Sequence, residues 1–201
     1  EALLPDLHHR IDPTGEVLYL RDEETGAVWT PTPRPRPAPA PYLTRHRAGS
    51  TSFQHRSHGL VQDLTVFVPP DATVKVVRLT LRNRTERQRR LTATYYAQLL
   101  LGTTAESTAP HLVFEYDASN RALRARNAFN QGFGEQVAFL TGTLPVHGLT
   151  TDRAEFIGRD GGLGDPAALR RIGLSGELEP GTDPCAALQF HVDVAAGGEA
   201  E

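Results

Sequence analysis

The side chains most suited to metal chemistry in this sequence are histidines, of which the 201-residue chain has eight. His46, His55 and His58 lie close together, but no cysteine accompanies them and no metal-ligand spacing recurs. The single cysteine, Cys185, lies in an apolar strand-like stretch, where a small buried hydrophobe is a better interpretation than a nucleophile. We therefore predict polar hairpin positions for the three histidines, and neither a metal site nor a cofactor.

The densest basic stretch runs from residue 82 to residue 90 and carries five arginines. A surface that binds nucleic acid interleaves such charges with aromatic side chains, whereas polar residues fill the gaps here. The whole chain has 21 basic and 24 acidic residues, a formal charge of −3, so it has no overall positive field for nucleic acid or an anionic membrane. We predict a solvated hairpin loop for this stretch and no nucleic-acid partner.

Residues 158–165 are rich in glycine and lie between a predicted strand and a predicted helix, which is where phosphate-binding loops occur. The stretch lacks the Gly-Lys-Ser/Thr ending of such loops. We therefore expect no nucleotide there, and we expect Asp160 and Asp165, near Arg159, to order the loop.

Two carboxylates, Glu115 and Asp117, share one face of a predicted strand. A glycosidase needs its carboxylates on opposite sides of the substrate, so this pair receives no catalytic role. The sequence also lacks a Gly-x-Ser-x-Gly elbow and a Cys/His dyad. The residues alone therefore indicate a module without an active site of its own.

Apolar residues recur at nearly every second position along most of the chain, which is the pattern of β-strands. We predict strands at 16–21, 27–30, 51–57, 60–68, 74–81, 91–101, 111–116, 121–126, 137–141, 155–157 and 186–194. Only residues 165–171 have a helical signature, an aspartate cap followed by proline. The sequence therefore predicts an all-β fold, a large antiparallel sandwich with at most one or two short helices.

Proline occupies every second position from residue 31 to residue 41. Proline fixes φ and has no N–H to donate, so we predict an extended, stiff connector within a single domain that covers residues 1–201. Recognition as a peptide ligand is the alternative for such a run. The chain contains no methionine, and we expect it to be a fragment of a longer protein.

Longer motifs resemble a known enzyme family. The stretch YLRDEETGAVWTPTP at 19–33 resembles glycoside hydrolase family 94, formerly glycosyltransferase family 36, and is closest to the cyclic β-1,2-glucan synthetases of that family. Further matches follow in family order at 45–46, 53–59, 64–69, 78–83, 94–96, 125–130, 156–159 and 183–189. One departure is RAGST at 47–51, where relatives often have Gly-x-Gly-Tyr.

The resemblance implies a supersandwich domain that precedes an (α/α)₆ barrel, and the barrel carries the catalytic acid and the phosphate site. It implies that this chain is non-catalytic alone and supports dimerisation and the sugar site of the barrel. The implied partners are a β-glucan oligosaccharide bound through the full enzyme, the barrel itself, and a second copy in a homodimer. The implied location is the cytoplasmic part of a membrane-anchored bacterial parent. A free-standing carbohydrate-binding module or a pure interaction domain is the alternative.

The surface best equipped for sugar is the stretch from residue 126 to residue 134. It contains a guanidinium, two asparagine amides and two phenylalanines, groups that bind hydroxyls and sugar faces. An ordinary loop could hold the same residues, because asparagine often bonds its own backbone and the phenylalanines could close the end of the sandwich. The resemblance favours the functional interpretation, and we predict that Arg126, Asn127 and Asn130 bind substrate.

Overall fold

The computed structural model describes residues 15–159 and 161–201, where antiparallel β-strands account for most of the regular structure. The strands are β1 (Glu16–Asp22), β2 (Val28–Trp29), β3 (Tyr42–Arg47), β4 (Ser50–Ser57), β5 (Leu60–Phe67), β6 (Val76–Asn83), β7 (Arg89–Ala97), β8 (Leu112–Asp117), β9 (Ala122–Asn127), β10 (Ala138–Thr141), β11 (Val146–Asp152), β12 (Pro184–Val194) and β13 (Glu199–Ala200). The helices are α1 (Ala105–Thr108), α2 (Arg153–Ile157) and 3₁₀ turns at Ala109–His111 and Ala167–Arg170. None of the helices in these two stretches is long and apolar enough to cross a bilayer. The all-β prediction is confirmed.

The strands form three sheets around one central layer. Sheet A has the order β11-β12-β7-β1-β2, sheet B the order β13-β6-β5-β4-β3, and sheet C the order β10-β9-β8. Side chains alternate between the two faces of a strand, so Ala186, Leu188, Val192 and Val194 of β12 share one face. Ala186 and Leu188 pack with sheet C, whereas Val192 and Val194 pack with sheet B. Sheets B and C therefore cover neighbouring parts of the same face of sheet A.

The opposite face of sheet A is covered by α2 and the segment that follows it. Tyr19, Tyr96 and Cys185 pack there against Phe156 of α2 and Leu169. The Tyr19 hydroxyl donates to the Leu163 carbonyl oxygen at 2.7 Å, which fastens this covering segment to the sheet. Cys185 is fully buried and burial raises the pKa of its thiol, so the prediction of a buried small hydrophobe is confirmed.

The strand predicted at 155–157 is wrong, because these residues belong to helix α2. Asp152 caps the helix, because its Oδ1 accepts the Ala154 N–H at 2.8 Å, and Glu155 places a negative charge in the first turn. Gly158, with a φ of 86°, ends the helix in a backbone conformation that favours glycine. The helix predicted at 165–171 shrinks to the 3₁₀ turn at Ala167–Arg170.

The prediction of a hairpin loop at 82–90 is also wrong, because β6 belongs to sheet B and β7 to sheet A. The connection between them passes from one sheet to the other, and Arg82 and Arg89 lie inside strands. Asn83 fixes the crossing, since its Nδ2 donates to the carbonyl oxygens of Arg87 at 2.7 Å and Ala195 at 2.9 Å. Arg89 is 3% exposed rather than solvated.

The proline-rich segment 31–41 joins β2 to β3 and contributes no strand, but its first half curls instead of running extended. The Thr30 N–H donates to the Arg36 carbonyl oxygen at 2.8 Å, which closes a loop. The Tyr42 hydroxyl accepts the Ala38 N–H at 2.8 Å and donates to the Thr30 carbonyl oxygen at 2.9 Å. Because proline has no N–H, the prolines of this segment cannot supply such donors themselves. The Thr30 N–H and the Tyr42 hydroxyl donate instead, and the segment therefore folds back onto β2.

Candidate functional site

The loop that follows β9 and the chain just after β7 enclose a cleft of about 660 Å³ at one end of sheet C. Its lining residues are Leu101, Gly102, Thr103, Asn127, Asn130, Phe133, Gln136, Val137 and Ala138. The structure therefore brings two of the three predicted substrate-binding residues, Asn127 and Asn130, to one cavity. Its walls combine amide groups with apolar side chains, which is the composition of many small-molecule sites.

Asn127, the last residue of β9, is buried and joins the two walls of the cleft. Its Nδ2 donates to the Leu101 carbonyl oxygen at 2.9 Å, across 26 residues of sequence. Its Oδ1 accepts the Phe129 N–H at 3.1 Å and so shapes the start of the loop. The side chain therefore fixes the position of both walls, in addition to lining the cavity.

Asn130 closes a turn further along the same loop. Its Oδ1 accepts the N–H groups of Gly132 at 3.1 Å and Phe133 at 3.2 Å. Its Nδ2 group makes no hydrogen bond within the two stretches that the structure describes, so its two N–H groups have no partner there. The Oδ1 atom of Asn130 therefore stabilises the turn, while its Nδ2 group has no partner among the described residues and can donate to a ligand.

Arg126 lies outside the cleft, on the exposed face of sheet C. Strand alternation places it on the outer face of β9, where it pairs with Val113 of β8. Phe139 of β10 lies on the same face, opposite Arg124. Val113 and Phe139 are 50% and 54% exposed. The outer face of an antiparallel sheet usually carries polar side chains, so these two apolar side chains are unexpected there.

The loop adds further exposed apolar surface next to this face. Phe129 is 75% exposed, and its ring stacks on His111 with the ring centroids 4.4 Å apart. Phe133, at the cleft, is 62% exposed. The sequence predicted this loop from its amide side chains but did not predict Val113, Val137 and Phe139. Strand alternation places these three apolar residues on the face that no other sheet of the described residues covers, and that pattern could have identified them.

The histidines predicted at polar hairpin positions have two different environments. His55 is buried, contrary to that prediction: its ring stacks on Tyr42 at 3.8 Å, and its Nδ1 donates to the Pro41 carbonyl oxygen at 3.1 Å. His46 and His58 are exposed, with His58 stacked on Trp29 at 3.9 Å. Across residues 15–159 and 161–201, no group of three or more His, Cys, Asp or Glu could hold a metal ion.

The remaining acidic candidates serve in turns and ion pairs. Asp117 accepts hydrogen bonds from the side chains of Ser119 and Asn120, and these bonds lower the pKa of its carboxyl group. The Asp165 carboxylate binds the guanidinium groups of Arg36 and Arg170, which ties the glycine-rich loop to the proline-rich segment. Asp160 lies outside the described residues.

Comparisons with known proteins agree with this architecture. The family model for the glycosyl hydrolase 94 supersandwich domain matches residues 8–201. The chain is 34% identical over 191 residues to the cyclic beta-(1,2)-glucan synthase NdvB of Rhizobium meliloti (strain 1021), which covers 94% of this chain and 7% of the relative. It is 25% identical to the N,N'-diacetylchitobiose phosphorylase of Vibrio furnissii, which covers 88% of this chain and 23% of that enzyme.

The solabiose phosphorylase of Paenibacillus borealis is 24% identical over 185 residues, which covers 90% of this chain and 24% of the enzyme. The chain thus spans less than a quarter of the length of each of these relatives. The motifs quoted from the sequence, the three antiparallel sheets and the match over residues 8–201 lead to one family. This chain belongs to glycosyl hydrolase family 94 and is a supersandwich domain of it.

Proposed function

We propose that this chain is a non-catalytic domain of a longer carbohydrate-active enzyme, in which it supports dimerisation and the sugar site of a neighbouring (α/α)₆ barrel. The observation that carries the proposal is the position of the amide-lined cleft beside an exposed apolar surface at one end of sheet C. The similarity to a cyclic beta-(1,2)-glucan synthase supports a β-glucan oligosaccharide as the ligand of the whole enzyme, and the two phosphorylases among the relatives support a sugar ligand in general.

The apolar surface is concentrated in one place. Nine large hydrophobic side chains are exposed among the described residues. Six of them belong to sheet C, its loop or the chain leading to it: Leu100, Val113, Phe129, Phe133, Val137 and Phe139. Clustered apolar groups of this kind mark surfaces that another protein surface covers. We assign this sheet C surface to contact with the barrel of a second copy, which places the cleft at a subunit boundary.

Within that boundary the three polar residues have different roles. Within the described part of the chain the Asn130 Nδ2 group and the Arg126 guanidinium have no hydrogen-bond partner, so both can donate to sugar hydroxyls. Asn127 acts mainly as a positioning residue, because its amide holds the Leu101 wall against the loop. Removal of one donor to a hydroxyl weakens binding by about 1 kcal/mol, roughly fivefold in affinity.

The test uses the longer enzyme that contains this chain and the substitution Asn130→Asp. Aspartate keeps the oxygen that accepts the Gly132 and Phe133 N–H groups but replaces the Nδ2 donor with an acceptor. We expect the KM for oligosaccharide to rise about fivefold or more while kcat and the dimer stay unchanged. Gln131→Glu, a matched change at the exposed neighbouring position, should leave KM unaltered.

A KM that does not change in Asn130→Asp would remove this residue from the sugar site. The dimer contact is tested separately with the double variant Phe129→Ser and Phe133→Ser, which should shift the enzyme toward monomer in analytical ultracentrifugation. Ile172→Ser is its control, because Ile172 is 74% exposed but lies outside sheet C and its loop. Saturable binding of oligosaccharide by the isolated 201-residue chain would favour the free-standing carbohydrate-binding module instead.

A further inference from the structure

The outer face of sheet B differs from that of sheet C because it is rich in arginine. Alternation places Arg45 and Arg47 of β3, Arg56 of β4, and Arg78 and Arg82 of β6 on the face that points away from sheet A. Ser52 of β4 and Thr65 of β5 lie on the same face, because Ser52 pairs with both Arg45 and Thr65. This face is therefore basic and polar, although the whole chain carries a formal charge of −3.

A second cleft, of about 460 Å³, opens at one end of this face, where the β4–β5 hairpin turns. Its lining residues are Arg56, Ser57, Gly59, Leu60, Val61 and Arg84. Arg56 pairs with Val61, and Val61 pairs in turn with Arg82 on β6, two residues before Arg84. Two arginine side chains, one on β4 and one just after β6, thus line one cavity on either side of β5.

The charges of these arginines are not neutralised in the same way. Arg82 binds Asp63 at 2.8 Å and Glu199 at 2.5 Å, so these two carboxylates are already paired. For Arg56 and Arg84, the described part of the chain supplies no carboxylate oxygen within 4.0 Å. The cavity is therefore lined by two guanidinium groups with unmatched positive charge.

The backbone around the cavity is fixed from three directions. The Arg84 N–H donates to the Gly59 carbonyl oxygen at 2.8 Å, and the buried Arg89 donates to the carbonyl oxygen of His58. Gly59 has a φ of 75°, and a Cβ there would lie 2.4 Å from Thr85 Cγ2. The hairpin tip is therefore held closely against the 84–85 turn, which fixes the backbone at Gly59 relative to the backbone at Arg84.

We propose that this cleft binds an oxyanion of the phosphate class, with Arg56 and Arg84 as its ligands. Arginine offers several N–H donors in a planar fork that matches the oxygens of phosphate, and two guanidinium groups can share one such anion. The cavity is open to solvent and has room for the organic part of a phosphate ester. The ligand is thus inorganic phosphate, a phosphorylated metabolite or the phosphodiester of a lipid headgroup.

The first arm of the test titrates the 201-residue chain with inorganic phosphate at constant ionic strength, with binding measured by isothermal titration calorimetry. We expect saturable binding with one site, weakened at least tenfold in Arg56→Gln and in Arg84→Gln. Arg47→Gln is the matched control, because it removes a charge from the same face. Arg47 lies about 20 Å from the cleft, since its partner on β4 is six residues from Arg56 and a strand rises about 3.3 Å per residue. Its affinity for phosphate should equal that of the unchanged chain.

The second arm measures sedimentation with vesicles of phosphatidylglycerol and phosphatidylcholine, against vesicles of phosphatidylcholine alone. Sedimentation that depends on Arg56 and Arg84, without binding of inorganic phosphate, identifies a lipid headgroup as the source of the oxyanion. The proposal is overturned if neither phosphate nor anionic vesicles bind saturably, or if Arg47→Gln weakens binding as much as Arg56→Gln does. Thermal midpoints of all three variants check that each remains folded.

Discussion

Sheets B and C pack on the same face of sheet A, but they are attached to it by different interactions. Sheet B is joined by polar groups in addition to its apolar cluster: Arg89 of β7 binds both Asp22 of β1 and the His58 carbonyl oxygen of the β4–β5 hairpin. Trp29 Nε1 of β2 donates to Gln62 Oε1 of β5 at 2.9 Å. The buried cluster beneath sheet C is formed by apolar side chains such as Leu112, Leu123 and Leu188.

The difference matters because the two kinds of contact constrain a junction differently. Apolar burial is roughly proportional to area and has no direction, whereas buried hydrogen bonds and ion pairs require one geometry. The contact of sheet B with sheet A thus requires one geometry, while the cluster between sheets A and C, among the described residues, is formed by apolar side chains. The outer face of sheet C also carries the exposed apolar side chains of Val113 and Phe139, beside Arg124 and Arg126, which suits an element that is covered on both sides in a larger assembly.

The largest expected effect comes from breaking the buried ion pair with Asp22→Asn. Both side chains are almost fully buried, and an arginine left without its carboxylate destabilises a protein by about 3–5 kcal/mol. For a domain of this size that loss lowers the thermal midpoint by roughly 10 °C. Asp117→Asn, at the pair with Arg124 on sheet C, is the control and should have a smaller effect, because the Arg124 side chain is 40% exposed. Equal losses from the two variants would contradict the comparison.

The same variant has a defined pH dependence. Burial acts to raise the pKa of Asp22, but the Glu24 and Thr25 N–H groups and Arg89 outweigh it, so the pKa lies below the ordinary value of 3.8. A carboxyl group with a lowered pKa stabilises the fold above its unfolded pKa, and that contribution is lost as the pH falls through the folded pKa. The gap in thermal midpoint between the unchanged chain and Asp22→Asn should therefore narrow below about pH 4.

For sheet C, Leu123→Ala tests attachment by packing. Leu123 is 2% exposed in the cluster between sheets A and C, and such a truncation costs about 2–5 kcal/mol through lost burial and a residual cavity. The loss should be measured by urea denaturation. Val113→Ala, on the outer face of β8, should change stability by no more than about 0.5 kcal/mol. If Val113→Ala is as costly as Leu123→Ala, the outer face is not free in the isolated chain.

The fold was predictable from sequence to the extent that local patterns determine it. The hairpin of β1 and β2 and the hairpin of β8 and β9 follow from alternation and from the Asp-Glu-Glu-Thr-Gly and Asp-Ala-Ser-Asn turns. Strands β3 and β11 were missed, because they are polar or interrupted by glycine and owe their pairing to neighbouring strands. Which strands share a sheet is a tertiary property, and for that reason the crossing from β6 to β7 was read as a hairpin.

The candidate site was predictable only as a list of groups. The Asn127 and Asn130 amides were identifiable in the sequence, but the cleft depends on the contact of Asn127 with Leu101, 26 residues away. The arginine stretch was misread for a related reason: Arg89 is buried because Asp22, far away in sequence, supplies the opposite charge. Long-range pairing decides which polar side chains become structural and which remain free to bind.

The smallest expected effect is the response of the thermal midpoint to a metal chelator. His55 and His58 lie beside the polar junction of sheets A and B, so a metal ion there would be a further attachment that sheet C lacks. His55 instead hydrogen-bonds Pro41 and stacks on Tyr42, and His58 stacks on Trp29. A structural zinc contributes on the order of 10 kcal/mol to its domain, so its removal would be obvious. We expect an unchanged midpoint with and without chelator in differential scanning calorimetry, and a drop of several degrees would show that a metal, and not the ion pair alone, holds sheet B in place.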